Sequence, residues 1–240
     1  MRQPPSPIKR LEEASGIAKR LLCEVIGTFA LVFCGTGAIV IDTATSGAVG
    51  HLGVALSFGL TILAMVVSFG DLSGSHINPA VTLAFWATGR FPRNEVVWYI
   101  AAQLSGAFIA TTLLRLLFPA DVHLGSTVPA GSDAQAFVLE TILTFLLMTV
   151  VLHVSTDSRE KGLLAGMAIG ATVLVEAAAA GPVTGASMNP ARSIAPAVVS
   201  GNLTHLWIYI AGPSAGALLA VIPWRVVRGG SAGADAEANR

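Results

Sequence analysis

The sequence predicts an all-α membrane protein made of six transmembrane helices and two re-entrant half-helices, arranged as an inverted repeat. Three observations predict it. The chain is 53% hydrophobic and only 12% charged, about half the charged share of a soluble domain, so it lacks the polar surface that water demands. Six near-uncharged runs are long enough to cross a hydrocarbon layer of roughly 30 Å. The tripeptide Asn-Pro-Ala occurs twice, at Asn78 and at Asn189, each time opening an apolar piece too short to span.

The first run, Leu21–Ile41, follows Lys9, Arg10, Lys19 and Arg20 as a signal peptide would, but it is too long for a signal h-region and reads as a retained span. Cys23 and Cys34 lie within it. On a helix they would be about 16 Å apart along the axis, beyond disulfide reach. The second run is Leu52–Phe69, and the short piece Pro79–Thr88 follows it. Val96–Leu117, Ala134–Val154 and Gly162–Gly181 are the next three spans; the second short piece, Pro190–Val199, and the last span, Leu206–Val227, complete the series. Gly27, Gly106, Gly216 and the alanine-rich fifth span supply the small surfaces that membrane helices need for close approach. Residues 19–228 form one membrane domain, with repeats at about 20–118 and 134–228; residues 1–18 and 229–240 read as flexible cytoplasmic tails.

Basic residues fix the expected orientation. With the N-terminus cytoplasmic, twelve Lys and Arg fall inside and only Arg115 and Arg192 outside. An even number of spans then returns the C-terminus to the cytoplasm. Net charge is zero and the pI about 7.0, which offers nucleic acid no electrostatic handle. Neither a metal-ligand spacing nor a nucleophile–base set occurs, so no cofactor and no enzymatic activity are expected.

Three landmarks recur in one order. Glu24 in LLCEVIGTF matches Glu140 in FVLETILTF; SGSHINPA from Ser73 matches TGASMNPA from Thr184; QLSGA from Gln103 matches PSAGA from Pro213. Each half holds three spans and one short piece, and an odd number of spans turns the halves over relative to one another. Such inverted repeats place a functional site near the midplane.

The triplets have a local physical meaning. Asn caps a helix by accepting a backbone N–H, and Pro is tolerated at the first helical position. Non-spanning backbone is allowed at membrane depth only where it is buried in protein or lines a cavity. The two short pieces are therefore expected to enter from opposite faces and meet at their N-termini, each carrying roughly half a positive charge. Each Asn would present its NH2 to whatever passes. A neutral solute can offer oxygen there. A cation would lose hydration, at an idealised cost on the order of 20 kcal/mol, without recovering it.

SGSHINPAV and TGASMNPARS, together with Glu24, Gln103, Glu140 and Gly212-Pro213, resemble the aquaporin or major intrinsic protein family over about residues 20–227. GPVTGASMNPARS and LWIYIAGP are similar to the nodulin-26-like branch and its bacterial multifunctional relatives. The resemblance implies an aquaporin-like fold, a homotetramer with one pore per subunit, and passive movement of water and small neutral solutes across a cell membrane. It implies pore motifs at Asn78, Pro79, Ala80 and at Asn189, Pro190, Ala191. A selectivity filter is implied at Phe58, Ala177, Ala186 and Arg192, and loop lining or support at Gly74, Ser75, His76, Gly185 and Ser187. Glu24 and Glu140 are implied to brace the loops by accepting backbone N–H groups.

The filter departs from both common patterns. Phe58 is water-like, but Ala177 replaces a bulky His and Ala186 adds no bulk, while Ser193 after the arginine is of the water type. A wider, more apolar opening follows, through which glycerol-like solutes pass as well as water. A strictly water-selective channel and a coupled secondary transporter are the alternatives, the latter needing an ion site among Glu24, Glu140 and Glu176. Arg192 also stands out unaided, because an ionised group at membrane depth is a functional candidate. Glu176 has three open assignments: pairing with Arg192, pairing with Arg115, or bracing the outer loop. His76 reads as structural rather than as a pH gate, and His51, His123 and His205 carry no signal.

Overall fold

The computed structural model describes residues 7–155 and 159–227. The described residues hold nine α-helices and one π-helical stretch, joined by loops and followed by a further helical run at 221–227, with no strand among them. In chain order they are α1 (Pro7–Ala30), a π turn (Leu31–Thr36), α2 (Gly37–Ala44), α3 (Gly50–Ser73), α4 (Pro79–Ala87) and α5 (Arg93–Leu117). The second half follows with α6 (Asp133–Val154), α7 (Arg159–Thr184), α8 (Pro190–Ser200) and α9 (Leu206–Leu219). Six helical segments are long and apolar enough to cross a membrane. The last, Leu206–Val227, runs on beyond α9 through a turn at Ala220.

Within the stretch expected as a tail, residues 1–18, helix begins at Pro7, where a proline costs no hydrogen bond. Residues 1–6 and 229–240 lie outside the described residues. The fifth span reaches Thr184 rather than Gly181 and carries Pro182 inside its last turn. That proline cannot donate to the carbonyl of Ala178, four residues back. His51 Nε2 sits 2.8 Å from this oxygen and takes the place of the missing donor. A histidine that bore no signal in the sequence thus completes the end of a distant helix.

The halves interlock. Within each, the first and third spans pack together, α1 on α5 and α6 on α9. Across them, α3 packs on α7, and each half-helix also meets the other half's last span, α4 on α9 and α8 on α5. Glycines set these distances. A Cβ on Gly106 would collide with the carbonyl oxygen of Val25 and lie 2.9 Å from Phe29 N; one on Gly216 would meet Thr141 O and lie 2.9 Å from Phe145 N. Gly59 and Gly170 do the same at the α3–α7 crossing, where an added Cβ on either would come within 2.6 Å of the other's carbonyl. Membrane helices associate through such close backbone approach rather than through a hydrophobic drive. Many large apolar side chains, Leu52, Val97, Leu116 and Val226 among them, are exposed on the outside of this bundle, as a lipid-facing wall requires.

Gly106→Val should therefore destabilise the helical bundle by at least the roughly 1–3 kcal/mol typical of overpacking. Gly16→Ala, where a Cβ meets nothing within 4 Å, should not. Thermal unfolding in detergent checks both, and equal melting temperatures would contradict this account of the packing.

Candidate functional site: a cavity past two half-helix caps

Two loops meet in the middle of the bundle. Asn78 and Asn189 are extended residues at the N-caps of α4 and α8, each followed by proline in the first helical turn. Asn78 Oδ1 accepts from Ala80 N at 2.9 Å, and Asn189 Oδ1 from Ala191 N at 3.0 Å. Such a cap is worth about 1 kcal/mol. The half-helices then run opposite ways. α4 leads toward Arg90, which donates to the carbonyls of Leu152, in the last turn of α6, and of Ser155 just after it; α8 leads to Ser200, which meets Ser126 in the loop after α5.

The two caps are also tied to each other. Asn78 Nδ2 donates to Met188 O at 2.8 Å, and Asn189 Nδ2 donates to Ile77 O at 2.9 Å. The expectation that each whole NH2 faces the lumen is corrected here. One N–H of each amide is spent on the opposite loop, because that loop's carbonyl would otherwise go unpaired in an apolar interior. The second N–H of each remains for the lumen.

Tight loops of this kind need unusual backbone. Gly74, Ser75 and Ile77 have positive φ (82°, 48°, 53°), as have Gly185, Ala186 and Met188 (84°, 41°, 51°). A non-glycine residue held there costs on the order of 1–3 kcal/mol. The alternation turns successive N–H groups to one side and forms a nest for an anion. The anion is part of the chain. Glu24 accepts from His76 N (2.9 Å), Ile77 N (2.7 Å), Ser73 Oγ (2.9 Å) and Gln103 Nε2 (2.8 Å). Glu140 accepts from Ser187 N and Met188 N, both at 2.8 Å. Tyr99 and Tyr209 close the symmetry by donating their hydroxyls to Ser73 O and Thr184 O.

A cavity of about 460 Å³ runs past both caps. Of the residues anticipated from sequence, it touches Phe58, Gly74, Ser75, His76, Asn78, Ala177, Ala186, Ser187, Asn189 and Arg192. Pro79, Ala80, Pro190, Ala191, Gly185, Glu24 and Glu140 lie behind its wall. Near one end, the Arg192 guanidinium carbon lies 5.1 Å from the Phe58 ring centre, and Nη1 donates to Gly125 O at 2.8 Å. Arg192 forms no ion pair among the described residues. Toward the other end His76 stacks on Phe85 (4.7 Å) and packs edgewise on Phe91 (4.9 Å), with Nδ1 3.1 Å from Thr82 Oγ1.

None of the three assignments open to Glu176 is met among the described residues. Arg115 donates to Asp121 O instead, Arg192 to Gly125 O, and both Glu176 oxygens are buried without a partner. Sequence reasoning also missed the apolar wall: Ile62 and Val66 below Phe58, and Ile169 and Val173 before Ala177. Steps of four residues from each anticipated filter position would have found them. Cys23 and Cys34 are free thiols outside the cavity wall.

The major intrinsic protein family model matches residues 12–224. The chain belongs to that family. It is therefore a membrane channel for water and small solutes, not an enzyme. Among curated relatives, this aquaporin is 48% identical over 212 residues to Aquaporin NIP1-3 of Oryza sativa subsp. japonica, covering 88% of this chain and 74% of the relative. It is 43% identical over 234 residues to Aquaporin NIP1-2 of Arabidopsis thaliana, covering 92% and 80%. Among solved structures, an aquaglyceroporin from Plasmodium falciparum superposes with a TM-score of 0.77 at 25% identity, covering 85% of this chain and 94% of that one.

Replacing Glu140 by Gln sets an NH2 against the N–H of Ser187 or Met188, and an unsatisfied buried donor costs about 1–3 kcal/mol. Glu140→Gln should accordingly melt at lower temperature and lose water permeability. A variant that keeps both would show that the loop does not depend on this carboxyl.

Proposed function

We propose that this aquaporin passes water and small uncharged, glycerol-like solutes and rejects protons and ions. The narrow point in this reading is the set Phe58, Ala177, Ala186 and Arg192. The observation that carries it is the pairing of Arg192 with the Phe58 ring across a wall whose other two members are alanines. One side offers fixed guanidinium donors, which no accessible pH removes; the facing side is apolar. A solute with hydroxyls along one edge and a carbon chain along the other matches both. Cations meet the arginine first and then the two helix N-termini at Asn78 and Asn189, with no anionic group in the wall between.

The coupled-transporter alternative needs an exchangeable ion site in the core. Glu24 and Glu140 are occupied by loop donors, which supports the passive reading. The excess of basic residues on one set of loops supports cytoplasmic termini in a cell membrane. The exposed apolar helix faces are compatible with a homotetramer, one conduit per subunit.

Stopped-flow permeability of reconstituted vesicles tests the proposal. Water and glycerol should both cross faster than in empty vesicles, and uphill accumulation under a proton gradient would overturn the passive reading. Ala177→His should cut glycerol flux by about tenfold or more, in the range a pocket contact can discriminate, while water flux persists. Arg192→Val should admit a proton or small-cation leak, read with a pH-sensitive dye. An unchanged glycerol-to-water ratio in the first variant and a tight membrane in the second would sink this filter assignment.

A further inference from the structure

The first span is not a regular helix. Between α1 and α2 it passes through the π turn Leu31–Thr36, and single π turns are frequent at functional sites. Two consecutive residues of this turn touch the two sides of the proposed constriction. A Cβ on Gly35 would collide with the Phe58 ring, at Cδ1 and Cε1. Its neighbour Thr36 abuts the loop glycine Gly125, whose own Cβ would come 2.6 Å from Thr36 Cγ2 and 3.0 Å from Thr36 O. Gly125, held at a φ of 63°, is the residue whose carbonyl fixes Arg192 Nη1. The chain of contacts therefore runs from Phe58 to Gly35, Thr36, Gly125 and Arg192, and closes where Arg192 lies over the Phe58 ring.

We propose that Gly35 is a positioning residue for solute selection: its missing side chain lets the Phe58 ring withdraw from the lumen and so sets the width of the opening. The backbone of α3 cannot retreat to make room, because Gly59 is already in contact with Gly170 of α7. A methyl group at position 35 must therefore displace the ring, and the space open to it is the conduit. The proposal rests on the filter assigned above.

The test uses full-length protein in vesicles, with water and glycerol permeability read by stopped flow for four variants. Gly35→Ala should lower the glycerol-to-water ratio by about tenfold, the scale on which a methylene in a pocket discriminates. Gly35→Ala combined with Phe58→Leu should restore the ratio, because the shorter side chain no longer meets the added methyl. Phe58→Leu alone gives the reference. Gly37→Ala is the control: its Cβ would meet only Leu114, at 3.2 Å, and not this ring. It should leave the ratio unchanged.

An unchanged ratio in Gly35→Ala, additive losses in the double variant, or an equal effect from Gly37→Ala would each overturn the proposal. If Gly35→Ala does not fold, recovery of folded protein in the double variant supports the clash, and failure of both overturns it. Wild-type protein that passes water but not glycerol would defeat the solute reading of the preceding section alone. The positioning role is then read from water flux, lowered by Gly35→Ala and recovered in the double variant.

Discussion

The carboxyl groups of Glu24 and Glu140 are where this structure is decided. At membrane depth, backbone that is neither helix nor barrel has no water to pair with. The chain nevertheless leaves helical conformation twice in the middle of the bundle. It can do so because each loop turns its N–H groups onto one buried carboxyl, and each carboxyl in turn is buried only because the loop supplies its donors. Each feature would be prohibitively unfavourable without the other. The left-handed residues Ser75, Ile77, Ala186 and Met188 are the conformational cost of that arrangement.

The second layer of the design is reciprocity between the halves. Asn78 reaches the loop of Asn189 and Asn189 reaches the loop of Asn78, so neither half-helix can shift along the conduit without breaking a bond to the other. The same crossing appears at larger scale, where α4 packs on α9 and α8 on α5. Each half therefore depends on the other for its centre. Because one amide N–H is committed to this link, the lumen is offered a fixed, sparse set of donors rather than two freely turning NH2 groups.

The two ends of the conduit depart from symmetry, and selectivity is assigned to the departure. In the first half, Thr82 joins His76 and Gln103 in a buried network beside a cluster of aromatic rings. In the second, Arg192 is drawn toward Gly125 and over Phe58, with small residues completing the ring. The duplicated scaffold supplies the conduit, and it is to the unduplicated side chains that we assign discrimination among solutes.

Much was legible in the sequence because the membrane imposes strong local rules. Run lengths gave six spans, and the repeated Asn-Pro-Ala with its short sequel gave the half-helices. Equivalent positions gave Glu24 and Glu140. These depend only on composition, on the capping chemistry of Asn and Pro, and on the repeat. What only the tertiary structure decided were partners far apart in the chain: His51 completing the carbonyl that Pro182 leaves open, Gly125 holding Arg192, Gly59 meeting Gly170, and Gly35 lying under the ring of Phe58. A local pattern states that a group needs a partner or that a helix needs a small residue. Which residue supplies it is set by how whole helices cross, and that is a property of the packed bundle.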